Sequence, residues 1–434
     1  MIKQNIIIIL LLVFGTFAFC FNYLIETKFD RYNIFNQRNV VFHTDPNWKL
    51  NCFVKGISQR AWPVVHPNLT NYFHTPIRLV AKLIIYFLDG NWEKELKIRK
   101  LLALLIVPIF SALNAMAIAL IFIRLKFTLL QVCMLTMLSL FSFTQIIFGS
   151  MPETFALNGF FITMCFLIGT HFLESKRLNW VRWIILGAFG MGITITNIFV
   201  LIIIFFTSNF SVNKDKYLTI KNTIRLINIV TLLTFSLSIG SSLLFGKKPS
   251  FDNIKGAGGF TRQFIREDFW GNSSKYPVAV ASSITPTSIK ILSDPKMKEY
   301  VEAGRGKYHH RFTIAYYDIG QFSIIVIIMI TIGITSVGAI SLLKKHIIIK
   351  SLAISSLLML TYNWLFHAFW GSEYFLYSQH WICSLIILMS GIFLSKKPYF
   401  APITSIFLAF LVYVIFNNLV ALNDIFTFIR NYSS

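Results

Sequence analysis

Asp45, Glu153 and the trio Glu373, Tyr377 and His380 stand beside long apolar runs, where crossing a bilayer gives ionisable groups nothing to do. Asp45 lies in Phe42-His43-Thr44-Asp45-Pro46-Asn47-Trp48. A carboxylate at a membrane surface, among aromatics and histidines, can serve as a general base toward a hydroxyl. An Asp before a Pro also starts a turn. Glu153, in Pro152-Glu153-Thr154, opens an apolar run. There it either favours a helix N-terminus electrostatically or supplies a second carboxylate, orienting an acceptor or binding a divalent cation. Glu373, Tyr377 and His380 are spaced by four and three residues, which predicts one helical face at the end of a span. An interfacial aromatic belt accounts for Trp370, Tyr374 and Trp381 but not for the Glu and His.

Other polar groups are candidate ligands. His66, in His66-Pro67-Asn68, and His74 read either as site residues or as interfacial polar groups. Arg60, Arg78, Lys82, Lys247, Lys248, Arg262 and Arg266 have the donors to hold a phosphate. The Gly256–Gly259 patch is a weak phosphate signal, and His309-His310 would need further ligands to make a metal site. The five cysteines form no CxxC pair, so no metal is assigned to them. Nucleotide-loop, zinc-protease and nucleophile-elbow patterns are not found.

The elements that must carry these residues are membrane helices. Of 434 residues, 55% are hydrophobic and 13% charged, and mean hydropathy is +0.65, which predicts one polytopic domain over 1–434. The first apolar run, Ile6–Phe21, is expected to be a retained span, because no small-residue cleavage site follows it. Two polar segments are long: 25–100, with 12 Lys and Arg against 6 Asp and Glu, and 247–319, with 12 against 7. The net charge of +22 is spread over loops, which argues against nucleic acid and for membrane sidedness and anionic lipid.

Lys and Arg in the loops at 124–126, 174–177, 208–225, 344–346 and 396–397 place those loops inside. That works only if 180–206 crosses twice as two short helices, with a break among Gly187, Gly190, Gly192 and Thr194–Asn197. The expectation is an all-α membrane protein of about 11 transmembrane helices, with 25–100 as first outer loop and 247–319 as large outer loop. Within the first loop, apolar residues at 69, 72, 73, 77, 80, 84, 87 and 88 predict an interfacial helix, bent at Pro76, with Asn71, Thr75, Arg78 and Lys82 opposite.

This order of parts resembles the GT-C superfamily of polytopic glycosyltransferases, which includes protein O-mannosyltransferases and lipid A aminoarabinose transferases. Asp45 stands where those proteins carry an acidic residue in the first outer loop, and Glu153 where some carry another between spans three and four. His66-Pro67 and the run Glu373–His380 look like motifs of bacterial members. The resemblance implies an inverting glycosyltransferase in a bacterial cytoplasmic membrane, acting at the outer face of the cell envelope. Its partners would be a polyprenyl-phosphate sugar donor, a lipid, glycan or protein acceptor, and membrane lipids, with no nucleic acid. Asp45 and Glu153 would be catalytic, and His66, Arg60, Arg262, Arg266, Glu373, Tyr377 and His380 would bind substrate or lipid phosphate. A divalent cation is the only cofactor left open. Rival readings are a surface-polysaccharide polymerase or ligase and a lipid-linked glycan transporter or flippase. The last would set charges deep in the spans.

Overall fold

A computed structural model describes residues 2–37, 40–56, 66–88, 92–244, 265, 268–287, 289–293, 310–315, 322–370, 374–394 and 400–433. Arg60, Lys247, Lys248, Arg262, Arg266, Glu373, His309 and the Gly256–Gly259 patch lie outside the described residues.

The order begins with helix α1 (Ile2–Arg31), α2 (Pro46–Lys55), α3 (Leu69–Phe87), α4 (Trp92–Arg124), α5 (Leu129–Leu140), α6 (Phe143–Phe148) and α7 (Phe155–Ser175). It continues with α8 (Trp180–Ile193), α9 (Asn197–Asn213), α10 (Lys216–Leu244), α11 (Phe269–Ser273) and α12 (Tyr276–Ile284). Strands β1 (Ile289–Ser293) and β2 (His310–Ile314) pair antiparallel, Ile291 opposite Phe312. Helices α13 (Phe322–Leu343), α14 (Ile347–Phe369), α15 (Ile382–Ser390) and α16 (Phe400–Ser433) complete the chain. The strands are an addition that the sequence did not announce.

Among the described residues, seven helices are long and apolar enough to cross a membrane: Asn5–Arg31, Trp92–Arg124, Phe155–Ser175, Lys216–Gly240, Ile325–Leu343, Ile347–Phe369 and Ala401–Asn431. Leu129–Leu140, Trp180–Ile193, Asn197–Asn213 and Ile382–Leu394 are shorter apolar helices. This is an all-α, multi-pass membrane protein.

Helix ends follow local chemistry. Thr128 and Gln131 form a reciprocal capping box on α5, and Ser142 and Asn179 cap α6 and α8 through backbone N–H groups. Lys176 and Lys214 close α7 and α9 in left-handed conformation.

The expected break within 180–206 is present, at Thr194–Thr196. It does not fall at the glycines. Gly187, Gly190 and Gly192 stay helical and serve packing, since a Cβ there would collide with Val230 and Leu201, with Phe161 and with Tyr72 respectively. Helix α3 matches its expected extent and runs through Pro76. Its protein-facing line is Leu69, Phe73, Ile77 and Ala81, whereas Val80, Phe87 and Leu88 are exposed. The reason is hydrocarbon: a helix beside lipid has no need to hide its second apolar face. The apolar stretch 127–149 forms two helices, because Phe141 ends α5 and Ser142 starts α6.

One ion pair and one hydrogen bond fix the first loop on the bundle. Lys100 bonds Asp30 at 2.8 Å, joining α4 to α1. Arg99 pairs with Glu95 one turn earlier, donates to the Val54 carbonyl at 3.4 Å and lies over the Trp92 ring. Helix α2 is thereby held against the N-terminal turns of α4.

Candidate active site

The site starts at a strained turn. Phe42 and His43 both have positive φ, 48° and 61°, although neither is Gly. The strand β2 clamps the turn from one side: Phe312 N–H donates to Val40 at 2.8 Å, and Phe42 N–H donates to Phe312 at 3.1 Å. On the other side the Phe42 ring is fully buried between Phe143 of α6 and Phe375, at centroid distances of 5.6 and 4.9 Å. Thr44 Oγ1 donates to the Val41 carbonyl at 2.7 Å. The turn delivers Asp45 as the residue that precedes α2, with Pro46 at the first helical position, where its missing N–H costs nothing.

Glu153 reaches the same place from 108 residues away. Its Oε1 accepts the Asp45 backbone N–H at 2.6 Å. Glu153 lies in the buried connection between α6 and α7, held by Ser111 Oγ donating to Gly149 at 3.2 Å and Ser150 Oγ donating to Asn22 at 3.0 Å. Burial pushes the Glu153 carboxyl up to about 7, and the Asp45 charge adds to the rise, while Lys49 opposes it. Asp45 itself keeps partial exposure. Its Oδ1 is nonetheless buried, and Glu153 lies deeper still.

Lys49 is the residue that sequence reasoning missed. It stands one turn into α2, four residues after Asp45, and is 2% exposed. Burial pulls its amine down to about 8, against the charges of Glu153 and Asp45, which favour the ammonium. The i, i+4 spacing from Asp45 was a usable signal.

His66 is fully drawn into the site, 9% exposed, with Nε2 at 3.0 Å from Lys49 Nζ. Its Nδ1 faces the Ile193 carbonyl at the end of α8 and lies 3.4 Å from Thr194 Oγ1. The neighbouring residues dock on the same helix: Asn68 N–H donates to Gly192 at 2.9 Å and Tyr72 O–H donates to Ala188 at 3.0 Å. His74, by contrast, faces the Phe53 carbonyl at 3.0 Å, which is a packing role within the first loop. Arg78 and Lys82 are exposed on α3.

From Thr194 the polar contacts continue inward. Asn158 Nδ2 lies 3.5 Å from Thr194 Oγ1 and 3.3 Å from His380 Nε2, and Asn158 Oδ1 accepts from Asn197 at 2.9 Å. His380 and Tyr377 do share a side of their segment, with rings 6.1 Å apart, but the segment Phe375–His380 is a 3-10 helix. Three residues per turn keeps the i, i+3 pair together. His367, in the last turn of α14, stacks on Tyr377 at 4.0 Å and 16°. Burial lowers His380 to about 4, so its ring is neutral and accepts from Asn158.

The structure thus brings together Asp45, Glu153 and His66, and joins them to His380 and Tyr377 through Thr194 and Asn158. Asn158 escaped notice because a single polar residue in an apolar run carries no periodic signal, and Thr194 and Asn197 were read only as a helix break. Among the described residues, no three His, Cys, Asp or Glu side chains cluster as metal ligands. His310 packs its ring against Phe428 instead. In comparison with known proteins, no family model matches the chain and no curated protein matches it.

Proposed function

We propose that this protein is a membrane glycosyltransferase that moves a sugar from a polyprenyl-phosphate donor to an acceptor hydroxyl at the outer face, with inversion. The observation that carries the reading is the contact between Asp45 and Glu153, from two separate loops, beside the Lys49 amine. Asp45 takes the acceptor proton, the acceptor oxygen bonds to the anomeric carbon, and the bond from that carbon to the lipid phosphate oxygen breaks. Glu153 holds the Asp45 turn. Lys49, with Tyr377 and His380 further in, faces the anion that forms on the departing phosphate.

Sidedness rests on the same contacts. The break after Ile193 lies with Asp45, Glu153 and His66. The opposite ends of the helices gather basic residues: Arg124 bonds Glu174 at 2.8 Å, and Arg225 lies over Trp180 at 5.1 Å. Seven long and four short apolar helices then read as 11 crossings, with the basic loops inside.

The test uses the purified full-length protein in vesicles with polyprenyl-phosphate hexoses and pentoses, reading free polyprenyl phosphate by phosphorus NMR. Release that needs an added hydroxyl acceptor, and is abolished by Asp45→Asn in a folded protein, is the expected result. Near-normal release by Asp45→Asn overturns the reading.

A further inference from the structure

His66 has two ring nitrogens with two different partners, and those partners determine its protonation. The Ile193 carbonyl beside Nδ1 can only accept, so Nδ1 carries a proton. An ammonium has three donors and no lone pair, so the Nε2 that faces Lys49 at 3.0 Å has to be the acceptor. A second ring proton would point at the ammonium and set two positive charges in contact. Burial acts in the same direction, lowering the His66 pKa well below 6.5, and the Lys49 charge lowers it further. Among the described residues, groups facing this pair include Asp45 and Cys52 on the Lys49 side, Glu153 from the loop before α7, and Thr194 after α8; both acids favour keeping the proton on Lys49.

The Ile193 carbonyl is one that the end of α8 leaves without a helical partner, because the chain breaks at Thr194. His66 satisfies it. The ring is thereby bolted to the gap between α8 and α9, and its Nε2 lone pair sets where the Lys49 ammonium can sit.

We propose that His66 is a positioning residue: an Nδ1-protonated imidazole that ties the α8–α9 gap to Lys49 and aims the ammonium at the Asp45–Glu153 pair. The role in turnover rests on the glycosyl-transfer reading, while the tautomer and its link to Lys49 do not. Lys49 is therefore not fixed by the acids alone, and the two short helices govern the charge geometry at the first loop.

The experiment labels histidine with nitrogen-15 in the full-length protein in lipid vesicles and assigns His66 by its loss in His66→Gln. The ring is expected in the Nδ1–H form and stays neutral as the pH falls below 6.5. Lys49→Met, which removes the charge and donor at Nε2, should shift that nitrogen and raise the ring's pKa. An Nε2–H tautomer, an imidazolium at neutral pH, or no response to Lys49→Met overturns the proposal. In turnover, His66→Leu should lower kcat by about tenfold or more with little change in KM. His66→Gln, whose amide can donate to Ile193 and accept from Lys49, should recover most of it. Equal loss in both folded variants overturns the positioning role. Absence of transfer in the unaltered protein would sink the glycosyltransferase reading and leave the resonance result standing on its own.

Discussion

Glu153 Oε1 accepts the backbone N–H of Asp45 at 2.6 Å, so one carboxylate fixes the main chain that presents the other. On the proposed function, the arrangement separates support from chemistry. Glu153→Gln keeps an acceptor oxygen for that N–H, whereas Glu153→Ala leaves a part-buried donor unpaired. Thermal unfolding should show Glu153→Ala destabilised by about 1–3 kcal/mol and Glu153→Gln close to unaltered. Transfer by Glu153→Gln should still fall about tenfold or more, since the charge that faces Lys49 is gone. Equal unfolding temperatures for both variants would show that the bond holds nothing.

The pH dependence of the proposed transfer follows from the same group of charges. Glu153 loses its proton near 7 and Lys49 near 8, as the groups of one coupled cluster. If activity needs Glu153 ionised and Lys49 charged, kcat/KM rises through about 7 and falls through about 8. A plateau extending well above that window would remove Lys49 from the reaction.

Acid stability should report on His380. The unfolded chain takes up a proton as the pH drops below the ordinary value of 6.5, and the folded ring only near 4. Stability contributed by the neutral ring is thus present above 6.5 and lost on going from 6.5 to 4. The loss is about 1–3 kcal/mol at its fullest, discounted for the ring's remaining exposure. A His380→Asn protein should melt with a flatter acid dependence than the parent; identical slopes would mean that the ring is not held neutral.

Glu26 is fully buried in α1, and neither carboxylate oxygen accepts a hydrogen bond. Such a group costs stability, as an ion or as an acid lacking partners. Glu26→Met, similar in volume, should raise the melting temperature, by roughly 1 kcal/mol or more in stability. A lower melting temperature would reveal that the carboxyl is used in the fold.

Glycines offer a matched control. A Cβ at Gly192 would press on the Tyr72 ring and disturb its bond to Ala188, whereas a Cβ at Gly240 meets nothing within 4 Å. Gly192→Ala should cost about 1–3 kcal/mol. Gly240→Ala should be neutral or gain roughly 0.5–1 kcal/mol from helix propensity. Indistinguishable melting curves would reject the packing role given to the α8 glycines.

The sequence alone determined the membrane class, the extent of α3 and the break within 180–206. These follow from runs of apolar residues and from local polar interruptions, both visible at short range along the chain. Along with Arg78 and Lys82, which are exposed on α3, it also singled out Asp45, Glu153, His66, Tyr377 and His380 as polar groups beside long apolar runs. It could not show that Lys49 belongs with them. One basic residue among 40 Lys and Arg looks ordinary until burial sets it against Glu153 and His66. Nor could it show that Phe42 is wedged between α6 and the 3-10 turn, or that Asn158 links Thr194 to His380. Those pairs join residues 36 to 333 positions apart. Hydrophobic periodicity acts over a few residues and fixes helices. Which rare polar groups meet is decided only when the helices pack, since partnering buried donors and acceptors is a condition on the whole bundle.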